Sequence, residues 1–292
     1  MNMRNWTALV VSILALAASS CSKTPPAESA ETTQAPGGPR LYILDCGTIA
    51  PMDPELFGLK KEEIAGDASF ITPCYLVVHP KGTLIWDVGQ IADADIPDDG
   101  TEVTQQDILK AKRRLTTQLA ALGHKPGDID FLAMSHYHLD HTANANLFAG
   151  STWIVQQAEY DAMFKTGEVA IRNTDSYKDL KDAKRITLAN QDHDVFGDGT
   201  VVIKTAPGHT PGHQMLYLKL AKFGNLLLEG DLYHLPEERT LDRVPTFDFD
   251  AAMTRASRVQ VENFLKENNA QMWIQHDPPT NAALRKAPEF YE

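Results

Sequence analysis

The amino-acid sequence predicts an α/β fold, judged from the spacing of its apolar segments and from the residues at their C-terminal ends. Short apolar runs of strand length recur along the chain, and amphipathic segments of helical spacing lie between them. Several apolar runs lead directly into a histidine or an aspartate, and α/β enzymes place their chemistry at the C-terminal ends of strands. With 292 residues, 43% of them hydrophobic, the chain can bury a large core in one layered body.

The negative net charge limits the kinds of molecule that the protein is expected to bind. Lys and Arg number 27 against 39 Asp and Glu, so the formal net charge is -12. Proteins that bind a phosphate backbone present basic patches, because each phosphate contact needs a positive side chain. We therefore expect no nucleic-acid partner and a small or neutral substrate.

The N-terminal residues resemble a bacterial export signal. In residues 1–20 Arg4 is the only charged side chain, and the apolar run Ala8–Ala18 is too short to span a bilayer. Small residues precede Cys21 as in a lipoprotein signal, although Ala18 stands where leucine is usual. We expect export from a bacterial cytoplasm with Cys21 lipidated. The alternative is ordinary secretion without a lipid.

The next segment is predicted to be a flexible linker. Residues 21–39 are rich in Pro, Ser, Thr, Ala and Gly and contain too little apolar side chain to fold. The folded domain then covers residues 40–292. It contains Cys46 and Cys74, which in an oxidising compartment form either a disulfide or two buried free thiols.

The first half of the domain begins with strands. Leu41–Leu44 is a strand candidate, and Cys74–Val78 and Thr83–Asp87 flank a turn and predict a hairpin. Residues 91–101 are rich in aspartate and predict an exposed loop. Gln105–Leu122 has apolar residues at helical spacing and predicts a helix.

The remaining elements alternate between strand and helix. The predicted strands are Ile129–Met134, Thr152–Val155, Val201–Thr205, Gln214–Leu220, Asn225–Leu228 and the run ending at Gln275. The predicted helices are Thr142–Phe148, Ala158–Phe164 and Ala251–Glu267, and Asp175–Lys184 is a polar connection. Each of four strands in this part leads to a candidate ligand.

The strongest functional signal is the motif His136-x-His138-x-Asp140-His141, which follows the strand Ile129–Met134. Imidazoles and carboxylates are the ligands that suit zinc and similar metals. Because neither a straight helix nor a strand makes all four side chains converge, the motif predicts a metal-binding loop.

Three further candidates each follow a later strand. His209 lies in a loop that contains two glycines and two prolines, Asp231 follows a run of leucines, and His276 follows Gln275. The nearby His213 is expected to support a ligand and not to bind the metal itself.

With these residues the chain resembles the metallo-β-lactamase superfamily, and over residues 40–290 it is most similar to the N-acyl-homoserine lactonase group. The shared features are the motif around His136, the segments LYILDCG, HPKG and WDVG, and the segment GDLYH that contains Asp231. The resemblance implies a hydrolase domain built as a four-layer αββα sandwich. It implies that one metal is held by His136, His138 and His209, that a second is held by Asp140, His141 and His276, and that Asp231 bridges both.

The resemblance also implies the reaction, which is hydrolysis of a homoserine lactone by a hydroxide shared between two divalent metals. The metals are expected to be zinc, with iron, manganese or cobalt as alternatives. Asp140 is the candidate that passes a proton to the departing alkoxide.

One position departs from the group. Many members have a tyrosine three residues after the bridging aspartate, whereas here His234 stands at that position and Tyr233 precedes it. His234 replaces the phenol as a hydrogen-bond donor, or Tyr233 reaches the substrate along a different backbone path, or the substrate preference differs. Both are candidate catalytic residues, and Tyr233 is equally consistent with core packing.

Two alternatives remain open. The chain hydrolyses β-lactams or other lactones and esters, although three-histidine β-lactamases generally lack a bridging aspartate such as Asp231. Alternatively, it is a metal-binding lipoprotein without activity.

For an exported enzyme we expect a periplasmic or membrane-anchored location, the outer membrane included, with quorum quenching as the role. We expect a small lactone as partner, a membrane contact only through the N-terminal lipid, and a monomer or homodimer.

Overall fold

The computed structural model describes residues 37–165 and 174–292. The predicted export signal (residues 1–20) and the linker as far as residue 36 lie outside the described residues. Within the described ranges, no helix has both the length and the apolar character needed to cross a bilayer.

Strands of the described residues form two sheets. In chain order, the strands of the first sheet are β1 (Arg40–Ile49), β2 (Phe70–His79), β3 (Gly82–Trp86), β4 (Val103–Gln105), β5 (Leu109–Ala111), β6 (Phe131–Ala133), β7 (Thr152–Gln156) and β8 (Arg185–Leu188). They lie in the order β4-β5-β1-β2-β3-β6-β7-β8. Pairing is antiparallel from β4 to β3 and parallel from β3 to β8.

The second sheet is shorter and comes from the C-terminal half. Its strands are β9 (His193–Asp194), β10 (Val201–Thr205), β11 (Gln214–Leu220), β12 (Gly224–Leu228) and β13 (Ala270–Trp273), in the order β13-β12-β11-β10-β9. The pair of β12 and β13 is parallel, and the other pairs are antiparallel.

Helices cover the outer faces of the sheets. The α-helices are α1 (Leu115–Ala121), α2 (Leu139–Thr142), α3 (Gln157–Phe164), α4 (Thr174–Tyr177), α5 (Pro236–Leu241), α6 (Ala251–Asn268) and α7 (Pro278–Ala282). Short 3₁₀ helices occupy Pro54–Phe57, Lys61–Glu63, Asp93–Asp95, Pro126–Asp128, Ala145–Phe148 and Lys178–Leu180.

The main core lies between the two sheets. Trp86 and Val77 of the first sheet pack against Ile203, Leu216 and Leu228 of the second. Because side chains of a strand alternate between faces, the neighbouring residues point outward and meet helices. Helices α1 and α3 pack on the first sheet and α6 packs on the second. This architecture confirms the predicted four-layer αββα sandwich.

Helix α6 was predicted almost to the residue, and its ends show why. Asp250 caps the N-terminus by accepting hydrogen bonds from the amides of Ala252 and Met253. Asn269 ends the helix in the left-handed conformation. Val261 and Leu265, four residues apart, lie on one face and enter the core of the second sheet.

The predicted helix Gln105–Leu122 is wrong in its first half. Gln106 and Asp107 both have positive φ, 50° and 61°, and they turn the chain into a hairpin of β4 and β5. Strand β5 extends the sheet beside β1, and Leu109 becomes buried there. Pairing with an existing sheet edge therefore overrides a helical spacing of apolar residues, and only Leu115–Ala121 is helical.

The predicted exposed loop, residues 91–101, is also partly wrong. Ile91, Asp93 and Ile96 are buried. Asp93 accepts hydrogen bonds from the amides of Leu115 and Thr116, at 2.7 and 2.8 Å, and so satisfies the first amides of α1. The sequence gives no local sign of this contact because the two segments are far apart in the chain.

Two other segments differ from their predictions. The predicted helix Thr142–Phe148 is interrupted at Asn144. The side-chain amide of Asn144 donates hydrogen bonds to the backbone carbonyls of Val88 and Ile91. The predicted polar connection Asp175–Lys184 contains α4 and a 3₁₀ turn. Strands β8 and β9 were not predicted.

The first sheet contains a disulfide. Cys46 of β1 and Cys74 of β2 are bonded, with their Cα atoms 5.9 Å apart. The sequence is consistent with either a disulfide or two free thiols, and the structure contains the disulfide. Both cysteines belong to the core under α1.

Removing this disulfide is expected to destabilise the domain. The two cysteines are separated by 28 residues, and opening a loop of that size lowers the free energy of unfolding by about 3 to 4 kcal/mol in the chain-entropy account. The test is urea unfolding of Cys21→Ala against the same chain with Cys46→Ser and Cys74→Ser. Equal midpoints, or two free thiols in the unreduced denatured protein, would contradict the bond.

Candidate metal centre

Four strands deliver the candidate ligands to one edge of the sandwich. His136 and His138 lie in the loop after β6, and Asp140 and His141 lie in α2, which follows at once. His209 comes after β10, Asp231 after β12 and His276 after β13. The first sheet thus supplies one part of the site and the second sheet supplies the other.

The structure brings these residues into two groups that share Asp231. In the first group, His136, His138, His209 and Asp231 each offer one ligand atom, and all these atoms lie within 4.8 Å of one another. Nε2 of His209 lies 3.2 Å from Nε2 of His136 and 3.0 Å from Nδ1 of His138. Oδ2 of Asp231 lies 3.5 Å from Nε2 of both His136 and His209.

The second group consists of Asp140, His141, His276 and Asp231. Oδ1 of Asp231 lies 3.1 Å from Nε2 of His141 and 3.0 Å from Nε2 of His276. Oδ2 of Asp140 lies 3.4 and 3.5 Å from the same two nitrogens. Each oxygen of Asp231 therefore faces a different group, which is the arrangement of a bridging carboxylate.

These separations fit a metal at the centre of each group. Zinc binds nitrogen and oxygen ligands at about 2.0 to 2.2 Å in a tetrahedron, so neighbouring ligand atoms lie about 3.3 to 3.5 Å apart. The separations given above for individual pairs, 3.0 to 3.5 Å, are close to that value. The donor set of imidazoles and carboxylates is also the set that such metals prefer.

Outer contacts turn the ligand nitrogens toward the centre. Nδ1 of His209 lies 2.8 Å from Oδ1 of Asp248, whose other oxygen accepts a hydrogen bond from Thr254. Nδ1 of His141 lies 3.0 Å from Oδ2 of Asp87. Nδ1 of each imidazole donates to its carboxylate, so Nε2 presents a lone pair to a metal.

His276 is oriented by the backbone. Its Nδ1 donates to the carbonyl of Ile71 at 2.7 Å. In the neutral tautomer that these two acceptors favour, Nε2 of His141 and of His276 turns a lone pair toward Asp231. Among the described residues, Oδ1 of Asp231 is buried without a hydrogen-bond partner. A cation satisfies this oxygen and the converging lone pairs together.

His213 supports the centre from behind and lies outside both ligand groups. Its Nδ1 donates to the carbonyl of Ala206 and its Nε2 accepts the amide of Asp231, both at 3.0 Å. Burial lowers its pKa to about 3, so the ring is neutral. Gly230 has φ of +64°, and a Cβ there would lie 2.6 Å from Nε2 of His213. The tight turn before Asp231 therefore needs glycine.

A buried carboxylate joins the two histidine loops. Glu159 of α3 accepts hydrogen bonds from the amides of Tyr137 and Gly212 and from the hydroxyl of Thr210, each at 2.8 Å. Burial raises its pKa to about 7 in spite of these three donors. The loop of His136 and the loop of His209 are thus held at a fixed separation.

Tyr233 does not reach the centre, and the structure corrects its predicted catalytic role. Its ring lies in the core between the second sheet and α6. The guanidinium of Arg258 covers the ring at 4.2 Å, and the hydroxyl contacts Glu262 at 3.4 Å. Tyr233 and His234 are adjacent, and their side chains point to opposite sides of the backbone. Tyr233 therefore has the core-packing role that the sequence left open.

His234 does lie at the centre. Its Nε2 is 3.3 Å from Oδ2 of Asp231, and its Nδ1 is 3.3 Å from Oε1 of Glu238. Burial disfavours the charged ring, but the two carboxylates outweigh burial and raise the pKa of His234 well above its ordinary value. The ring also packs against Phe57, with centroids 5.0 Å apart.

An apolar cavity of about 260 Å³ opens over the centre. Its floor is formed by His138, Asp140, Asp231, His234 and His276. Its walls carry the side chains of Ile49, Met52, Leu56, Phe57, Phe70, Gln106, Ile108, Leu109, Leu139 and Phe247. Residues 49–57 and the tip of the β4–β5 hairpin thus supply most of the wall.

Comparison with known proteins agrees with this site. Residues 69–266 match the family described as the metallo-beta-lactamase superfamily. The chain belongs to this superfamily.

Three similar proteins are named as lactonases or lactone hydrolases. The N-acyl homoserine lactonase AttM of Azorhizobium caulinodans is 30% identical over 267 residues, which is 87% of this chain and 98% of that protein. An N-acyl homoserine lactone hydrolase with its product at the catalytic metal centre has a TM-score of 0.72 at 22% identity, covering 86% and 98% of the two chains. The dizinc lactonase AidC has a TM-score of 0.62 at 18% identity, covering 87% and 94%.

Sequence reasoning named the candidate ligands that the structure brings together, but it missed most of the groups that support them. Asp87 lies in the segment WDVG, which the resemblance had singled out without giving it a role. Glu159 and Asp248 have no local motif, because their partners lie 22 to 53 and 39 residues away. The contact of Glu238 with His234 could have been predicted from the sequence, because Glu238 follows His234 by four residues at the start of a helix.

Replacing Asp248 by asparagine is expected to weaken metal binding at the first group alone. Loss of a carboxylate behind a ligating histidine typically lowers metal affinity about 10- to 100-fold, and only His209 depends on Asp248. Chelator competition on the metal-loaded protein measures both sites. The control is Asp250→Asn, which keeps the cap of α6 and touches no ligand. Equal weakening at both sites, or none, would show that Asp248 does not act through His209.

Proposed function

We propose that this protein is a metal-dependent hydrolase that opens the lactone ring of N-acyl-homoserine lactones, and that it acts in quorum quenching. The observation that carries the proposal is a pair of ligand groups bridged by Asp231 on the floor of an apolar cavity. The relatives support the substrate, because AttM is similar over 98% of its length. A structural neighbour holds N-hexanoyl-L-homoserine at its metal centre.

Two divalent cations are the cofactors in this proposal. His136, His138 and His209 with Asp231 would hold one, and Asp140, His141 and His276 with Asp231 would hold the other. Zinc is the proposed metal, since the ligand distances suit it and AidC is a dizinc enzyme. Iron, manganese or cobalt are alternatives that the same ligands accept.

The cations, when bound, supply an ionised water near neutral pH and polarise the ester carbonyl. Asp140 moves the proton: its side chain is 14% exposed against 4% for Asp231, so it is the ligand carboxylate that reaches the substrate. Asp140 takes a proton from the attacking water and, as the ring C–O bond breaks, passes that proton to the leaving alkoxide oxygen. His234 donates a hydrogen bond from Nε2 to the substrate, the role that a tyrosine has in many members of the group.

The cavity explains why an acylated lactone fits. Ile49, Met52, Leu109 and Phe247 present an apolar wall next to the reacting centre, and burial of a fatty acyl chain there contributes about 0.8 kcal/mol per CH₂ group. The substrate is neutral, which suits a chain of net charge -12. The partners proposed are this small lactone and no nucleic acid, for a monomer or a homodimer.

Ring opening of the lactone is the decisive measurement. The metal-loaded mature protein is incubated with N-hexanoyl- and N-dodecanoyl-homoserine lactone, and acid release is followed. We expect turnover that a chelator abolishes and added zinc restores. Asp231→Ala is expected to lower kcat/KM by more than the roughly 10- to 100-fold that loss of a supporting residue costs, because it removes a ligand from both groups.

The control and the parallel substrates separate the remaining interpretations. Asp242→Asn changes an exposed carboxylate that belongs to neither ligand group nor to the cavity lining, and it should leave kcat/KM unchanged. Turnover of a β-lactam or a simple ester without turnover of the lactones would overturn the proposed substrate and leave the metal centre. No turnover of any of these by fully loaded protein would overturn the enzymatic function.

We further propose that the protein is exported and anchored as a lipoprotein through Cys21, in the periplasm or at the outer membrane. The export-type signal in residues 1–20 supports this location. The disulfide between Cys46 and Cys74 supports it independently, since such bonds persist in oxidising compartments. An enzyme so placed meets lactone signals as they diffuse between cells.

Fractionation of the producing bacterium tests the location. The full chain is expected to take up labelled palmitate and to sediment with membranes, whereas Cys21→Ala should lose both properties. If both the full chain and Cys21→Ala are recovered as soluble periplasmic protein, the protein is secreted without a lipid and the lipoprotein proposal is wrong. Recovery of the unprocessed chain from the cytoplasm would overturn export.

A further inference from the structure

His234 is held from the side opposite the cavity by a buried carboxylate. While its Nε2 faces Asp231 and the cavity floor, its Nδ1 faces Oε1 of Glu238 at 3.3 Å. The His234 side chain is only 7% exposed and the Glu238 side chain is fully buried. The two rings of Phe57 and Phe247 pack on the imidazole and leave it little freedom to turn.

Glu238 is itself fixed on both of its oxygens. Oε1 accepts the amides of His234 and Leu235, at 3.1 and 3.3 Å, in the first turn of α5. Oε2 accepts a hydrogen bond from Nη2 of Arg258 at 2.9 Å. A buried carboxylate is strongly unfavourable unless a partner compensates its charge, and Arg258 supplies that charge from α6.

Arg258 is clamped in turn by the backbone. Its Nε donates to the carbonyl of Leu232 at 2.9 Å, and its Nη1 donates to the carbonyl of Arg243. The guanidinium therefore ties α6 to the two segments that flank α5. A continuous chain of contacts runs from α6 through Arg258 and Glu238 to the ring of His234.

We propose that Glu238, held by Arg258, is a positioning residue that orients His234 for the substrate. The inference rests on the proposed function, in which Nε2 of His234 contacts the lactone. A carboxylate at Nδ1 fixes an imidazole ring and determines which nitrogen faces the reaction, as in other carboxylate–histidine pairs. Nδ1 of His234 lies 3.3 Å from Oε1 of Glu238 without the alignment of a hydrogen bond, and such contacts often shorten and align when substrate binds.

Glu238 also has a structural role that the test must separate. Its bonds to the amides of His234 and Leu235 cap α5, so a loss of activity in Glu238→Gln alone does not distinguish capping from positioning. A double-mutant cycle does, because a residue that acts through His234 has no effect on catalysis once the imidazole is gone.

The experiment compares wild type, Glu238→Gln, His234→Phe and the double variant as metal-loaded full chains with N-hexanoyl-homoserine lactone. Phenylalanine keeps the packing against Phe57. We expect Glu238→Gln to lower kcat about tenfold or more and to have no further effect in the His234→Phe chain. An equal loss of kcat on Glu238→Gln in wild type and in the His234→Phe chain would overturn the positioning role and show that Glu238 acts only by capping α5. The matched control is Glu237→Gln, the neighbouring carboxylate of α5, which binds the amide of Ala65 and should not change kcat.

A readout independent of activity is the nitrogen NMR spectrum of ¹⁵N-histidine-labelled, zinc-loaded protein, with His234 assigned from His234→Phe. We expect the Nδ1 resonance of His234 to shift in Glu238→Gln and to stay in place in Glu237→Gln. An unmoved resonance would overturn the inference. If wild type hydrolyses no lactone but the shift is seen, the proposed function fails and the positioning stands. Should Glu238→Gln not fold, Arg258→Lys replaces it in both measurements with the same expectations.

Discussion

The carboxylate of Asp231 is the group on which the arrangement of the molecule depends. It is buried, it faces imidazole nitrogens with both oxygens, and Oδ1 has no hydrogen-bond partner in the described part of the chain. A buried carboxylate in this condition requires a compensating cation. His141, His209 and His276 point lone pairs inward because their other nitrogens donate to fixed acceptors. A divalent cation in each of the two groups would therefore satisfy this carboxylate and the surrounding imidazoles together.

The constraint at Asp231 extends to the contact between the sheets. His136, His138, Asp140 and His141 come from the end of a strand in the first sheet, whereas His209, Asp231 and His276 come from the second. The relative position of the two halves is determined by the apolar core between the sheets. Distances of 3.0 to 3.5 Å between ligand atoms from different sheets, such as those from His138 to His209 and from His136 to Asp231, require that this core be tightly packed. Glu159 adds a direct link by joining the loop of His136 to that of His209.

Sequence reasoning succeeded where the determinants are local and failed where they are not. The ligand residues were recognisable because each follows an apolar strand, and the four-layer fold and helix α6 were predicted for similar reasons. The hairpin of β4 and β5 was mistaken for a helix, since its apolar spacing suits both and only the edge of β1 decides between them. Asp93, Glu159 and Asp248 act on segments far along the chain, and no pattern in one sequence reveals such partners. Tyr233 and His234 are adjacent, and only the backbone turn after Asp231 determines which of them enters the site.

The elements that hold the ligands are distinct from those that shape the cavity. The ligands stand at the ends of buried strands, whose geometry the cores on both faces determine. The walls come from the 3₁₀ segment Pro54–Phe57, the tip of the hairpin at Gln106 and the loop that contains Phe247. These segments pack on a smaller apolar cluster beside the main core. Substitutions at the wall can therefore alter which acyl group fits without moving a ligand. His234 is the exception, because it belongs to the cavity floor and also contacts Asp231. A change at this position alters substrate contact and the surroundings of the metal centre together, and the buried pair of Glu238 and Arg258 lies behind the ring on the side away from Asp231.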